Sequence, residues 1–200
     1  MKCRFTLVLL LLCVLLMTSC QQSIDNRQST GTTVVCFGDS LTAGYGSSPG
    51  HDYPTLLSKK ISYPVIHAGV PGNTTRDALQ RLKTDVLAHD PKLVIITLGG
   101  NDFFQGMHKE ETLANMTAII ERIKAQGAMV VWVEVKVGVL GDPYIHDFKL
   151  LADQEHILLI ADILNGIIDR PQYKSDQIHP NDEGYQVMAD RIYQQIKGYL

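Results

Sequence analysis

Two short stretches, far apart in the chain, carry residue types that together could activate a serine hydroxyl. In residues 34–42 an apolar run rich in β-branched side chains stops at a glycine, and Ser40 follows two positions later. In residues 175–180, Asp176 and His179 are three positions apart. A carboxylate at that spacing can orient one imidazole nitrogen while the other accepts a proton from a hydroxyl. The two stretches therefore predict acyl-transfer chemistry, although Ser and Asp after a strand also cap ordinary helices.

Two further loops carry groups that could bind a developing negative charge. The sequence Gly-Val-Pro-Gly-Asn-Thr-Thr occupies residues 69–75, and Gly-Gly-Asn-Asp occupies residues 99–102. Glycine N–H groups and an asparagine amide are donors from which oxyanion holes are built. Either loop alone is equally consistent with ordinary turn chemistry. Their combination with Ser40 and His179 favours a catalytic site.

The elements that would position these loops alternate between strand and helix patterns. Strands are predicted at residues 34–37, 65–66, 93–98, 129–135 and 157–160, and helices at 53–61, 74–87, 110–125 and 181–199. The alternation predicts an α/β fold with a parallel sheet of about five strands and helices on both faces. Ligands bind at the carboxyl edge of such a sheet, which is where Ser40 and both donor loops would lie.

Composition narrows the class of protein. The chain has 200 residues, enough for one domain; 45% of them are hydrophobic, and the formal net charge of −3 does not indicate a nucleic-acid partner. No pair of histidines has the spacing of metal ligands. We therefore predict no metal site.

The N-terminus predicts export. Lys2 and Arg4 precede an apolar run at residues 5–17, and Cys20 follows two small residues. The arrangement resembles the lipobox of bacterial lipoproteins, which implies a signal peptide at residues 1–19 and a lipid on Cys20. A plain cleaved signal and an uncleaved anchor are the alternatives.

The remaining chain divides into two parts. The polar residues 20–32 are predicted to be a flexible tether behind the lipidated cysteine, and residues 33–200 to be the globular domain. The lipid would make the membrane a partner and would place the protein in the bacterial cell envelope, facing the periplasm. Cys36 would then be the one free thiol of the domain, so no disulfide is expected.

Together the motifs resemble the sequence blocks of the SGNH, or GDSL, hydrolase family. The matching positions are Gly38-Asp39-Ser40-Leu41, Gly72, Gly99-Gly100-Asn101-Asp102 and Asp176-Gln177-Ile178-His179-Pro180. The sequence looks most similar to the bacterial thioesterase I, arylesterase and lysophospholipase subgroup. That resemblance implies a flavodoxin-like three-layer α/β/α sandwich and cofactor-free hydrolysis of esters or thioesters.

The resemblance also implies a role for each site residue. Ser40 would be the nucleophile, His179 the general base and Asp176 the carboxylate that orients it. The oxyanion hole would comprise the backbone N–H groups of Ser40 and Gly72 and the side chain of Asn101. Their neighbours Asp39 and Asp102 are expected to hold the loops by hydrogen bonds.

Two observations separate this chain from similar groups. An α/β-hydrolase nucleophile elbow needs glycine where Thr42 stands. The Pro/Asn-containing loop that follows the fourth strand in the subgroup is absent from residues 135–144. Val139 and Leu140 in that segment could line an acyl site or belong to the core, so the resemblance does not fix the substrate preference.

Three functions are compatible with the sequence. The leading prediction is a serine esterase or thioesterase that acts on a small acyl ester or lysophospholipid through an acyl-Ser40 intermediate. One alternative is an O-acetylesterase acting on envelope polysaccharide. The other is a non-catalytic lipoprotein that binds lipid or a partner, although no obligate protein partner is indicated.

Overall fold

The computed structural model describes residues 23–136 and 144–200. The predicted signal peptide, Cys20, Val139 and Leu140 lie outside those residues. No helix of the described residues is long and apolar enough to cross a membrane.

Five parallel strands form the centre of the domain. They are β1 (Thr33–Gly38), β2 (Val65–Gly69), β3 (Pro91–Thr97), β4 (Met129–Val133) and β5 (Leu158–Ile160). Their spatial order is β2-β1-β3-β4-β5, which is the flavodoxin-like doubly wound order. The predicted fold class, a flavodoxin-like sandwich with a parallel sheet of about five strands, is confirmed.

Seven α-helices accompany the sheet in the described residues. They are α1 (Ser40–Ala43), α2 (Tyr53–Ser58), α3 (Thr75–Asp85), α4 (Gly100–Phe104), α5 (Lys109–Ala125), α6 (Ile145–Gln154) and α7 (Asp182–Ile196). Short 3₁₀ turns lie at Leu87–His89, Pro171–Tyr173 and Lys197–Tyr199. Helices α3, α5 and α6 pack on one face of the sheet, and α2 and α7 pack on the other.

The central strands are buried on both faces. In β1, Val34 and Cys36 pack towards α2 and α7, whereas Val35 and Phe37 pack towards α3 and α5. Because successive side chains of a strand point to opposite faces, a strand covered on both sides needs a continuous apolar run. This requirement explains the uninterrupted apolar stretch in β3.

The observed elements differ from the predicted ones mainly in length. Helix α2 ends at Ser58, strand β4 ends at Val133 and helix α7 ends at Ile196, each earlier than the apolar pattern indicates. Helices α1, α4 and α6 are absent from the predicted set. Helices α1 and α4 have four and five residues, too few to show a helical period.

The first ten described residues, 23–32, form what we call the N-terminal segment. Its backbone and side chains bond to the domain: the side-chain amide of Asn26 donates to the carbonyl oxygens of Lys124 at 2.9 Å and Ala128 at 3.0 Å. Ile24 packs against the α2/α7 core. The structure therefore differs from the prediction of a flexible tether over residues 23–32, because polar groups in these residues bond to the domain.

At Gly69, strand β2 lies against the helix that carries Ser40, and a substitution there tests how close the two backbones are. A β-carbon at this position would lie 2.3 Å from the backbone nitrogen of Ala43 in α1. We expect Gly69→Ala to lower the free energy of unfolding by about 1–3 kcal/mol because backbone atoms must move to admit it. For a chain of this size the melting temperature should fall by roughly 2–4 °C per kcal/mol.

Gly198→Ala is the matched control, because a β-carbon there meets no heavy atom within 4 Å. Thermal unfolding of both variants beside the wild type gives the comparison. Equal melting temperatures for Gly69→Ala and the wild type would contradict the close approach.

Candidate active site

Ser40 lies where strand β1 gives way to helix α1. The strand ends at Gly38, and the Asp39 carboxylate caps the helix by accepting the backbone N–H of Leu41 at 3.0 Å. Gly44, with φ of +77°, ends the helix after one turn. This tight turn places the serine side chain at the carboxyl edge of the sheet.

The structure brings Ser40 to His179, which is 139 positions away in the chain. Ser40 Oγ lies 3.0 Å from His179 Nε2, and His179 Nδ1 lies 2.8 Å from an Asp176 carboxylate oxygen. With the Nδ1 proton assigned to the bond with the carboxylate, Nε2 presents its lone pair to the serine hydroxyl. The three predicted catalytic residues are thus in hydrogen-bonded order.

The loop that carries Asp176 and His179 is closed by its own backbone. The Ser175 N–H donates to the His179 carbonyl oxygen at 3.0 Å, and Lys174 pairs with Pro180 in an antiparallel bridge. Asp176 Oδ1 accepts the backbone N–H groups of Ile178 and His179, each at 2.8 Å. Both oxygens of the carboxylate are therefore used to hold the loop and the imidazole.

The pKa of Asp176 follows from these contacts. Burial on its own would raise it, but the hydrogen bonds from the Ile178 N–H and from the His179 ring and backbone outweigh burial and lower the pKa to about 2. The carboxylate is therefore charged at any pH where a neutral imidazole could act as a base.

Tyr45 contacts His179, and no sequence motif indicates this contact. Its ring centroid lies 4.6 Å from that of His179, at an interplanar angle of 47°. The Tyr185 hydroxyl donates to the Tyr45 carbonyl oxygen at 2.9 Å, which fixes the backbone beneath the ring. The ring covers one side of the imidazole although Tyr45 is 57% exposed.

Asn101 connects the loops that carry the other predicted donors. Its side-chain amide donates to Asp39 Oδ2 at 3.2 Å and to the Asn73 carbonyl oxygen at 3.0 Å. Asp39 precedes Ser40 and Asn73 follows Gly72, so Asn101 is bonded to the immediate neighbours of the other two predicted oxyanion donors. The amide has two hydrogens, and these acceptors engage both, so an oxyanion would have to share one of them.

Asp102 connects the loop after β3 to the loop after β2 by hydrogen bonds, as the sequence predicts. Its carboxylate accepts the Thr75 backbone N–H at 3.0 Å and also the Thr75 hydroxyl. Both residues are fully buried. The start of α3 is thereby fixed to the start of α4.

Arg81 is the positioning residue that sequence reasoning missed. Its guanidinium donates to the carbonyl oxygens of Gly38 at 2.8 Å and Ala68 at 3.0 Å and to the Asn73 side chain at 2.6 Å. It also pairs with Asp85 at 2.9 Å. One largely buried cation therefore joins the ends of β1 and β2 to the loop that carries Gly72. A single arginine among helical residues gives no sequence signal of such a role.

An open groove is lined in part by Ile178, the residue before His179, and we call it the side groove. It has a volume of about 500 Å³. Its apolar lining includes Phe104, Val135, Leu164, Ile168 and Ile178, and its polar lining includes Lys136, Asp162, Asn165 and Asp169. Ile178 precedes His179, and Phe104 lies three positions after Asn101, so the groove adjoins the loops that carry these two predicted site residues.

A larger hollow, of about 830 Å³, lies between the N-terminal segment and the C-terminal residues Gly198 and Tyr199. No residue of the catalytic loops lines it, so we take the side groove as the candidate binding region. Within the described residues no group of three or more His, Cys, Asp or Glu side chains is placed to hold a metal ion.

Asp39 gives a pH-dependent test of this arrangement. Burial raises its pKa to about 6, against the opposing hydrogen bond from Leu41 and a smaller electrostatic effect of His179. In the unfolded chain the group should titrate at its ordinary value of 3.8. Between these values the folded protein holds more protons than the unfolded chain, so this group lowers stability as the pH rises, with the full effect above pH 6.

We expect Asp39→Asn to remove that effect. The difference in unfolding free energy between the variant and the wild type should shift in favour of the variant from pH 4 to pH 7, by up to about 3 kcal/mol. Urea unfolding of both proteins at four pH values in that range measures it. A difference that stays constant with pH would contradict the assignment.

Comparisons with known proteins agree with this geometry. The chain matches the GDSL-like Lipase/Acylhydrolase family over residues 36–187. Thioesterase 1/protease 1/lysophospholipase L1 of Escherichia coli strain K12 is 28% identical over 179 residues, which are 86% of this chain and 86% of that protein. The uncharacterized lipoprotein YqeF of Bacillus subtilis strain 168 is 38% identical over 77 residues, 34% of this chain and 31% of that protein.

Comparison with solved structures gives the same family. The crystal structure of TesA matches this chain with a TM-score of 0.78 at 27% identity, covering 84% of this chain and 99% of that one. The family match includes Ser40, Gly72, Asn101, Asp176 and His179, and these residues lie together at one edge of the sheet. The chain therefore belongs to the GDSL-like lipase/acylhydrolase family, the SGNH hydrolases.

Proposed function

We propose that the protein hydrolyses acyl esters or thioesters through an acyl-enzyme intermediate on Ser40. The observation that carries the proposal is the continuous path of hydrogen bonds from Ser40 Oγ to His179 Nε2 at 3.0 Å and from His179 Nδ1 to Asp176 at 2.8 Å. A serine hydroxyl is a weak nucleophile unless a base removes its proton during attack. His179 is placed to do so.

The reaction proceeds in two balanced steps. Ser40 Oγ attacks the acyl carbon while its proton moves to His179 Nε2, and the imidazolium formed is stabilised by Asp176. His179 then gives that proton to the departing alcohol or thiol, leaving the acyl group on Ser40. In the second step His179 takes a proton from water and the hydroxide attacks the acyl carbon. The bond from Ser40 Oγ to that carbon then breaks, the carboxylic acid leaves, and the same proton returns from His179 to Ser40.

Charge on the carbonyl oxygen is stabilised by the proposed oxyanion hole. The backbone N–H groups of Ser40 and Gly72 and the Asn101 amide are the donors. Donors fixed before the reaction stabilise the transition state more than the ground state. The bonds from Asn101 to Asp39 and Asn73 provide that fixing, because they hold the amide in one orientation.

The side groove would hold the acyl chain. Its volume of about 500 Å³ and its apolar residues suit a hydrocarbon chain, and its polar residues can contact water. The Escherichia coli relative is a thioesterase and lysophospholipase by name, which supports an acyl ester, a thioester or a lysophospholipid as the substrate class.

We propose in addition that Cys20 carries a lipid and anchors the protein in the bacterial cell envelope, on the periplasmic side. The support is the basic start, the apolar run and the small residues before Cys20. The partial match to a Bacillus subtilis lipoprotein agrees with it. Labelled fatty acid should be incorporated into the wild type and not into Cys20→Ser.

A hydrolysis panel tests the activity. The purified protein is assayed with acetyl, butyryl, octanoyl and palmitoyl esters, an acyl thioester and an acetylated polysaccharide, with Ser40→Ala as the control. Turnover of acyl esters that Ser40→Ala lacks supports the proposal. Deacetylation of the polysaccharide with negligible acyl-ester turnover would favour the O-acetylesterase instead, and no turnover of any substrate would favour a non-catalytic lipoprotein.

Ser40 and His179 should behave as one kinetic unit. Ser40→Ala, His179→Ala and the double variant should each lose on the order of 10⁶-fold in kcat, because neither residue works without the other. Steady-state kinetics on the preferred ester of the panel measure the losses. Losses that multiply in the double variant, or near wild-type turnover in Ser40→Ala, would contradict the assignment.

Arg81 should affect kcat through the position of the Gly72 loop. We expect Arg81→Ala to lower kcat by roughly 10–100-fold with little change in KM, because small displacements of transition-state donors are costly. Added guanidinium should restore part of the rate, since the cavity left behind retains its three acceptors.

Arg76→Ala is the control on the same helix. Arg76 is 58% exposed and pairs only with Glu111 among the contacts described. It should stay within about twofold of wild-type kcat, as expected for an exposed ion pair. A fall in melting temperature with unchanged kcat in Arg81→Ala would show that the arginine serves stability alone.

A further inference from the structure

The N-terminal segment is bound along the edge of the sheet opposite the active site. Near β5, Ser23 Oγ lies 3.4 Å from His156 Nδ1, and the Asp25 N–H donates to the His156 carbonyl oxygen at 2.9 Å. Its next contact is near β4, where Asn26 donates to the carbonyl oxygens of Lys124 and Ala128. Asp25 also pairs with Lys124 at 3.0 Å.

The segment then reaches the start of β3. The Thr32 N–H donates to the Asp90 carbonyl oxygen at 2.9 Å, and Lys92 Nζ donates to the Ser29 carbonyl oxygen at 2.7 Å. A β-carbon on Gly31 would lie 2.4 Å from the Pro91 backbone, so the two chains are in close contact. His156, Ala128 and Asp90 all precede the first residues of their strands, so the segment passes beneath three strands.

The catalytic groups lie at the other end of the same strands. Ser40 follows the last residue of β1, and Asn101 lies just after β3. Strand β3 has seven residues, and at about 3.3 Å per residue it separates its two ends by roughly 20 Å. The point where the chain enters the domain and the point where chemistry occurs are therefore on opposite edges.

Cys20 precedes Ser23 by three residues, which span at most roughly 11 Å. A free tether of thirteen residues would let the domain turn in any direction, with a typical reach of about 20 Å. Because residues 23–32 are bound to the domain, that freedom is lost. A lipid on Cys20 would therefore be attached within roughly 11 Å of Ser23, whose hydroxyl lies 3.4 Å from His156 Nδ1 at the amino edge of the sheet.

From this arrangement we infer that the anchored protein holds its active site facing away from the membrane that carries it. Its substrates would then be esters in the aqueous phase or on a polymer beside the membrane, rather than the lipids of its own bilayer. The inference rests on the proposed function and on the proposed lipid at Cys20, and it narrows the substrate class for the same site.

Energy transfer from the two edges to the membrane tests the orientation. The full chain, lipidated by the cell, is purified in detergent and reconstituted into phosphatidylcholine–phosphatidylglycerol vesicles whose headgroups carry an acceptor dye. One sample is labelled on Ser40 with a fluorescent fluorophosphonate. The other carries the same donor dye on Ala125→Cys, an exposed residue that adjoins Lys124 at the amino edge.

We expect transfer from the Ala125→Cys label to be several-fold stronger than transfer from the Ser40 label. Equal transfer, or stronger transfer from Ser40, would overturn the inference. A chain that does not stay on the vesicles overturns it as well, since no anchor would then orient the domain.

A second measurement uses turnover. Anchored wild type and a chain that starts at Gln21, which carries neither the apolar run nor Cys20, are compared on lysophosphatidylcholine in the same vesicles and on a water-soluble ester. We expect anchoring to give no gain on the vesicle lipid, and a large gain would overturn the orientation. Failure of Ser40 to react with the fluorophosphonate, or ester turnover that survives in Ser40→Ala, would instead count against the proposed function, so the two failures are distinguishable.

Discussion

The parallel direction of the five strands is the constraint on which the active site depends. Parallel strands all end at one edge of the sheet. The loops that leave β1, β2 and β3 therefore begin next to each other in space. Ser40, Gly72 and Asn101 each need only a short loop to meet. An antiparallel arrangement would send alternate loops to opposite edges and would separate the same residues by the length of a strand.

A common edge brings the loops together but does not fix the distances between their side chains. In this protein, polar contacts between the loops fix those distances. Asp39 binds Asn101, Asp102 binds Thr75, and Arg81 binds three acceptors near the ends of β1 and β2. These groups are buried or largely buried, where an unpaired donor or acceptor is costly. Loss of one partner therefore leaves others unsatisfied, and the loops stay in one arrangement because every alternative breaks several bonds.

The sequence predicts the parts of this structure that follow from local pattern. Apolar runs predict β1 and β3, and the spacing of Asp176 and His179 predicts the orienting pair. Arg81 and Tyr45 could not be predicted in the same way, because their contacts join residues that are distant in the chain. The N-terminal segment misleads for a related reason: polar composition indicates a solvated tether, but polar groups such as the Asn26 amide can equally bond to carbonyl oxygens at a sheet edge.

The burial of Cys36 affects how the protein responds to heating. It lies fully buried in β1 and is the one free cysteine of the described residues, and burial raises the pKa of its thiol. Thiols react with oxidants and alkylating reagents as thiolates, so this cysteine is inert while the protein is folded. Heating past the unfolding transition exposes it to oxygen and to other chains. Whether heated protein returns to its folded form would then depend on the presence of a reductant, which makes intermolecular disulfides a route to irreversible inactivation.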